Sequence, residues 1–138
     1  MMASANLDLV RSIIAPWGRG DYSSAEWAQP DIEFVFADGP EPGRWTGLVE
    51  IATANREWLS AWEDVRIEAE KCTELDDERV VAVTIGSGRG KASGVDVAPM
   101  ARSAFLFHIR DGKVAKLISY WDRDRALADL GLAPDTGT

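Results

Sequence analysis

The sequence has very little of the residues that build disulfides and metal centres. Its 138 residues include one cysteine, Cys72, and one histidine, His108. A lone cysteine excludes an internal disulfide, and one Cys with one His falls short of the usual ligand set of a metal site. We therefore expect no metal, and the single thiol fits a reducing, cytoplasmic compartment.

Positive charge and long apolar runs are also scarce. Fifteen Lys and Arg stand against 23 Asp and Glu, which gives a net charge of −8, and the basic residues are not clustered. Such a surface repels a phosphate backbone and an anionic membrane, so neither is an expected partner. No apolar run approaches the ~20 residues that span a bilayer. The first ten residues lack the basic region and the apolar core of a signal peptide.

Apolar and aromatic residues, by contrast, are plentiful. The chain is 46% hydrophobic and 28% charged, and it contains six tryptophans. This length and composition predict one globular domain over residues 1–138, ordered from 4 to 132, with a loose C-terminal tail. Large rings fill cores, but they also line apolar pockets.

The clearest structural signal lies in residues 97–121. Two runs of strand-forming residues flank Asp111-Gly112, a dipeptide that accepts the positive φ angles of a type I′ turn. Arg110 and Lys113 are therefore predicted to face each other at the end of a long antiparallel hairpin. Both faces of this hairpin are partly apolar, which predicts a position in the middle of a sheet with both sides covered.

Strict alternation along the hairpin assigns its side chains to two faces. One face of the first strand carries Ser103, Phe105, Phe107 and Ile109, and the other carries Ala104, Leu106 and His108. In the return strand one face carries Leu117, Ser119 and Trp121, and the other carries Val114, Lys116, Ile118 and Tyr120. His108 is thus predicted to lie away from Ser103, on an outer or interface surface.

The remaining pattern predicts an α+β domain. Helices are expected at 4–17, 47–62 and 123–130, with a short one ending near 28 and Asp122 capping the last. Strands are expected at 32–37, 65–75 and 79–85, with loops at 39–45 and 86–96. A curved antiparallel β-sheet would wrap around the long helix and leave a conical cavity.

These features, in this order, resemble the nuclear transport factor 2-like superfamily, and within it the SnoaL-like and ketosteroid-isomerase-like members. The resemblance rests on Gly20-Asp21 and on the segments IEFVFAD, GPEPGRWTG, FLFHIRDGKVAKLISYW and DRDRALADLGL. It implies a cone-shaped α+β barrel with a pocket between sheet and helices, usually as a homodimer through the outer sheet face. Members include isomerases, polyketide cyclases and non-catalytic binding modules, so the fold leaves the function open.

Asp38 is the candidate catalytic residue. It precedes Gly47 at the spacing of the general base in ketosteroid isomerases, and it continues the phase of Phe34 and Phe36 at a strand end. Partial desolvation there would strengthen the carboxylate as a base. The alternative is a turn residue whose carboxylate accepts hydrogen bonds from nearby backbone N–H groups.

The oxyanion-binding positions of those isomerases are changed in this chain. By spacing, the donor tyrosine is replaced by Ile13 and the protonated acid by Ser103, so steroid isomerisation by that mechanism is not predicted. Ser103, Ser119 and Asn55 are candidate neutral donors. Each has an alternative as an ordinary polar residue of the core or the pocket wall.

The resemblance implies an apolar pocket without a cofactor. Its expected lining is Ile13, Trp17, Phe36, Asn55, Trp58, Ser103, Phe105, Phe107, Ser119 and Trp121. The predicted ligand is a small hydrophobic carbonyl compound. Three functions stay open. One is a cofactor-independent isomerase, cyclase or lyase with Asp38 as base, and the second is a non-catalytic ligand-binding or dimerisation module. The third is a protein–protein adaptor, which would need an exposed apolar patch on the sheet.

Overall fold

The structure, a computed structural model, describes residues 5–21, 26–37, 43–60, 62–90 and 101–132. Three helices and six strands follow one another within these residues. They are α1 (Ala5–Trp17), β1 (Ala28–Phe36), β2 (Gly43–Thr46), α2 (Leu48–Ser60), β3 (Trp62–Glu74), β4 (Arg79–Gly90), β5 (Ala101–Arg110), β6 (Lys113–Tyr120) and α3 (Arg123–Asp129). The predicted α+β class and cone-shaped fold are confirmed.

The six strands form one sheet in the order β2-β1-β6-β5-β4-β3. Neighbours are antiparallel except for β1 and β6, which run parallel. The sheet is therefore mixed, and the prediction of a purely antiparallel sheet was wrong at this pair. No hairpin joins β1 to β6, so no tight turn forces them to run in opposite directions.

The central hairpin is confirmed in position and turn. Arg110 pairs with Lys113, and the residues between them, Asp111 and Gly112, have φ angles of 53° and 77°. Positive φ at both positions is the signature of a type I′ turn, whose twist matches that of the strands. β5 and β6 occupy the middle of the sheet, as predicted.

A β-bulge in β6 breaks the predicted alternation. His108 pairs with Lys116 but Ile109 pairs with Val114, so the register skips Ala115. The extra residue turns Val114 onto the face of Leu117, where both join the same core cluster. The assignment of Val114 to the opposite face was therefore wrong, because a bulge leaves no mark in an alternating pattern.

Both faces of the hairpin are covered. The inner face, defined by Phe105, Phe107 and Ile109, packs on α1 through a stripe of buried side chains: Val10, Ile13, Ile14 and Trp17. The outer face, defined by Ala104 and Leu106, packs on α3 through Ala126 and Leu127. This two-sided burial is what the partly apolar character of both faces predicted.

The last helix begins at the predicted cap. One carboxylate oxygen of Asp122 accepts hydrogen bonds from the backbone N–H groups of Asp124 (3.0 Å) and Arg125 (3.4 Å). Gly131, with a φ of 70°, supplies the left-handed residue after the helix. These signals lie within one turn of the helix ends, so they could be read from the sequence alone.

Several predicted boundaries were wrong. β2 begins at Gly43, inside the segment 39–45 that was predicted to be a loop. β1 begins at Ala28, where the short helix was predicted to end, rather than at the predicted residue 32. β1 then passes through Pro30 at a register irregularity, where a residue without an N–H is tolerated. The long helix ends at Ser60, two residues early, and β4 continues to Gly90, beyond the predicted 85.

None of the helices in the described part of the chain is both long and apolar enough to cross a membrane.

Phe107 tests the packing of the inner face. Its side chain is fully buried and lies 6.4 Å from the ring of Trp17, nearly parallel to it. Phe107→Ala should lower the free energy of unfolding by about 3–5 kcal/mol in urea titrations, because a large cavity is left between sheet and helix. Val49→Ala, at a side chain 83% exposed, should change it by less than about 0.5 kcal/mol. Equal losses in the two variants would contradict this packing.

Candidate functional site

Three of the predicted site residues meet in one row on the inner face. Phe36 of β1 pairs with Ser119 of β6, and Ser119 pairs with Phe105 of β5. The row continues to Ala82 of β4. Strand pairing thus brings together an aromatic ring, a hydroxyl and a second aromatic ring that are far apart in the sequence.

Aromatic rings surround this row on both sides. The ring of Phe36 lies edge-on to Phe34 at 4.9 Å and to Trp45 at 5.0 Å. The ring of Trp17 lies 5.4 Å from that of Phe105 and 6.3 Å from that of Trp27. Trp45 did not enter the predicted lining, because its segment was taken for a loop and a strand of only four residues gives a weak signal.

Three of the predicted lining residues, two on α1 and one on β5, lie in the core. Ile13 is 2% exposed, and Trp17 and Phe107 are also buried in the same cluster. Ile13 has no hydrogen-bonding group, and its burial shows what the position does in this chain: it packs α1 against the sheet. Contact of these three side chains with a ligand stays a prediction.

The inner face also carries a pair of hydroxyl groups. Ser103 of β5 pairs with Thr84 of β4, and their Oγ and Oγ1 atoms lie 2.7 Å apart. Thr84 is fully buried, whereas Ser103 is partly exposed. Sequence reasoning identified Ser103 but missed Thr84, because the register between two strands joined by a long connection cannot be read locally.

A buried arginine contacts the backbone of this pair. Arg123 of α3 is 2% exposed, and its guanidinium donates to the carbonyl oxygens of Thr84 (2.6 Å) and Ser103 (3.5 Å). The same group forms an ion pair with the carboxylate of Glu70 on β3. A buried cation needs such partners, and these bind α3 to three positions in the sheet. The sequence placed Arg123 at a helix start and gave no sign of its burial.

The remaining predicted residues are described in part or not at all. Asp38 lies outside the described residues, and for Asn55 and Trp58 only the backbone of α2 is described. The chain immediately before Asp38 lies beside β6, since the N–H of Ala37 donates to the carbonyl of Ser119 at 3.0 Å. Trp121 follows β6 and is 37% exposed.

An open depression of about 700 Å³ lies at the edge of the sheet, beside β2 and the start of α2. It is lined by Pro30, Trp45, Thr46, Gly47, Leu48, Val49, Glu50 and Thr53. Among the predicted lining residues whose side chains the structure describes, none borders this depression.

The outer face carries a row of charged side chains near the central turn. Glu33 pairs with Arg44 (3.6 Å) and with Lys116 (3.5 Å). His108 pairs with Lys116 on the neighbouring strand, and Arg79 pairs with His108 on the next, so the row continues to Arg79. His108 thus lies on the face predicted for it. Within the described residues, no three His, Cys, Asp or Glu side chains gather as metal ligands would.

The surroundings of His108 disfavour its charged form. Burial lowers the pKa of His108, and the positive charges of Lys116 and then Arg79 lower it further. The carboxylates of Asp76 and Glu78 act in the opposite direction, with smaller effect.

The comparisons with known proteins agree with this architecture. The family model of the SnoaL-like domain matches residues 10–117. No curated protein matches the chain significantly. A nuclear transport factor 2-like protein of unknown function from Burkholderia pseudomallei is 17% identical, with a TM-score of 0.75 over 91% of this chain and 97% of that chain.

Two further solved structures have the same fold. One, from Catenulispora acidiphila, has a ketosteroid isomerase-like fold and was crystallised with trimethylamine; it is 17% identical, with a TM-score of 0.68 over 91% of this chain and 94% of that chain. The other, from Xanthomonas campestris, is a candidate polyketide cyclase, also 17% identical, with a TM-score of 0.68 over 91% and 96%. At this identity the likenesses show the fold alone.

The lowered pKa of His108 predicts a pH dependence of stability. The unfolded chain, with an ordinary pKa of 6.5, binds a proton more readily than the folded protein, so stability is lost as the pH falls through and below that value. His108→Gln should remove this part of the loss. The urea midpoint of wild type should therefore fall relative to that of the variant as the pH is lowered from 7.5 to 5. The contributions of the carboxylates cancel in this comparison, because both proteins carry them. A constant difference over this range would contradict the argument.

Proposed function

Because the chain belongs to the SnoaL-like domain family, we propose that it binds a small hydrophobic carbonyl compound and moves a proton beside the carbonyl group without a cofactor. The observation that carries the proposal is the inner-face row of Phe36, Ser119 and Phe105. It combines apolar rings with a hydroxyl donor on one surface. Isomerases and polyketide cyclases are the reaction classes that this combination fits.

The apolar part of the site fits a hydrophobic ligand. The ring of Phe36 contacts those of Phe34 and Trp45 edge to face, and the ring of Phe105 continues this surface across the sheet. Aromatic walls with a few placed polar groups are the usual composition of small-molecule sites.

The hydroxyl groups fit the oxygen of a carbonyl. Ser119 is 7% exposed on the inner face, and Ser103 lies on the same face of the neighbouring strand. When a proton leaves the carbon next to a carbonyl, negative charge develops on the oxygen, and neutral donors stabilise it. Ile13 supplies no such donor, and in this mechanism the sheet supplies two of the three candidate donors, Ser103 and Ser119, while α2 carries the third, Asn55.

Asp38 is the proposed general base. Its carboxylate takes a proton from the carbon beside the carbonyl, which breaks the C–H bond and leaves an enolate. The resulting carboxylic acid then returns the proton to the same carbon or to a conjugated one, so no outside reactant is consumed. The backbone bond between Ala37 and Ser119 supports this role, because it brings the end of β1 beside a proposed donor.

Deuterium exchange tests the base without knowledge of the natural substrate. The probe is 2-tetralone, a hydrophobic ketone, incubated with the protein in D₂O. Wild type should accelerate the incorporation of deuterium beside the carbonyl, followed by NMR. Asp38→Asn should slow it by about 10²–10⁴-fold, because an amide cannot accept the proton.

Asp31→Asn is the matched control, since it makes the same change at an exposed position of β1. It should exchange at the wild-type rate. Equal exchange in wild type and Asp38→Asn would overturn the role of Asp38. Binding of 2-tetralone without any acceleration would favour the alternative, a non-catalytic ligand-binding or dimerisation module.

We also propose that the protein forms a homodimer through the outer sheet face, in a cytoplasmic setting that keeps Cys72 reduced. α3 covers part of that face, and the row of Glu33, Lys116, His108 and Arg79 occupies its other end. Charged side chains of both signs on one surface can fix the register between two surfaces. Native mass spectrometry should give twice the chain mass; a monomer at micromolar concentration would overturn the proposed assembly.

A further inference from the structure

We propose that Thr84 donates its hydroxyl proton to Ser103, so that Ser103 presents its own proton to the carbonyl oxygen of the bound compound. Arg123 acts with them as a positioning residue. This inference rests on the proposed function and deepens it, because it names one donor and the group that aims it.

The argument begins with the two protons of the hydroxyl pair. Thr84 Oγ1 and Ser103 Oγ lie 2.7 Å apart, and either atom can be the donor in the bond between them. One of the two protons fills this bond and the other is left over. The direction of the bond therefore decides which residue can donate to a third group.

Burial selects the direction. Thr84 is fully buried, and among the described residues Ser103 Oγ is the one partner of its hydroxyl. If Ser103 donated, the proton of Thr84 would be enclosed without an acceptor, an arrangement that folded proteins avoid. If Thr84 donates, its proton is bonded, and the spare proton belongs to Ser103.

The spare proton then lies on the group that a ligand can reach. Ser103 is partly exposed and stands on the inner face, on the same side of β5 as Phe105. A hydroxyl that already accepts a hydrogen bond is polarised and becomes a better donor. The pair therefore presents one oriented donor, which prefers a compound with a carbonyl oxygen over one with only N–H or C–H groups at that point.

Arg123 holds the backbone beneath the pair. Its guanidinium donates to the carbonyl oxygens of the same two residues, Thr84 and Ser103, and its ion pair with Glu70 fixes it to the next strand. In each of the two residues, the side chain with the hydroxyl and the carbonyl group that this cation binds are attached to the same Cα atom. The distance between the two hydroxyls is thus set by a buried contact outside the ligand-binding surface.

Isotope-edited infrared spectroscopy of bound 2-tetralone, labelled with ¹³C at the carbonyl, tests the inference. A hydrogen bond to the carbonyl lowers its stretching frequency. Thr84→Val keeps the branched shape but removes the hydroxyl. It should move the band to higher frequency and raise the Kd about tenfold. Thr84→Ser, which restores the donor, should return both values to those of wild type.

Thr73→Val is the matched control. It removes a threonine hydroxyl from the neighbouring strand β3, where Thr73 pairs with Val81 of the outer-face cluster. It should leave the band and the Kd unchanged. An unchanged band in Thr84→Val, with the wild-type band lowered, would overturn the inference and leave the proposed function standing. Failure of wild type to bind 2-tetralone would overturn both.

A second measurement decides the direction of the bond if Thr84→Val does not fold. NMR of the ligand-free wild type should show a slowly exchanging hydroxyl proton on Thr84 and a rapidly exchanging one on Ser103. The reverse pattern would overturn the proposed direction.

Discussion

The pairing of β5 with β6 is the constraint on which the rest of the structure depends. The type I′ turn at Asp111 and Gly112 fixes the register of the two strands, and every inner strand of the sheet is then paired with one of them. Because side chains alternate, that register also fixes which groups face α1 and which face α3. A shift by one residue would carry Phe105 and Phe107 to the outer face and place His108 in the core, so the buried clusters on both faces hold the register in place.

The same register separates the chemistry of the two faces. The inner face carries rings and hydroxyls, and the outer face carries the charged row near the turn. Arg123 links them: it begins a helix on the outer side and binds the carbonyls of residues whose hydroxyls lie on the inner side. Backbone carbonyls lie in the plane of a sheet, so they are the groups through which one face can hold the geometry of the other.

The features that could be predicted from the sequence are those with local causes. The turn at Asp111, the cap at Asp122 and the α+β order each depend on residues a few positions apart, and the structure confirms them. The parallel pairing of β1 with β6, the bulge that turns Val114 and the partnership of Thr84 with Ser103 depend on contacts between distant segments. No local pattern encodes those, and β2, with four residues, is too short to show a period of its own.

The proposed site follows from where the chain places its hydrogen-bond donors. With an isoleucine at position 13, α1 contributes packing to the inner face, and the proposed donors Ser103 and Ser119 lie on β5 and β6. Both strands are paired on both edges, so backbone hydrogen bonds hold each of them on either side. Serine hydroxyls are weak acids, so they can stabilise a developing enolate only through orientation. In such a mechanism, what a strong acid would supply through its acidity must come from geometry. The hydroxyl pair of Thr84 and Ser103 supplies such geometry, because Arg123 holds the backbone of both residues.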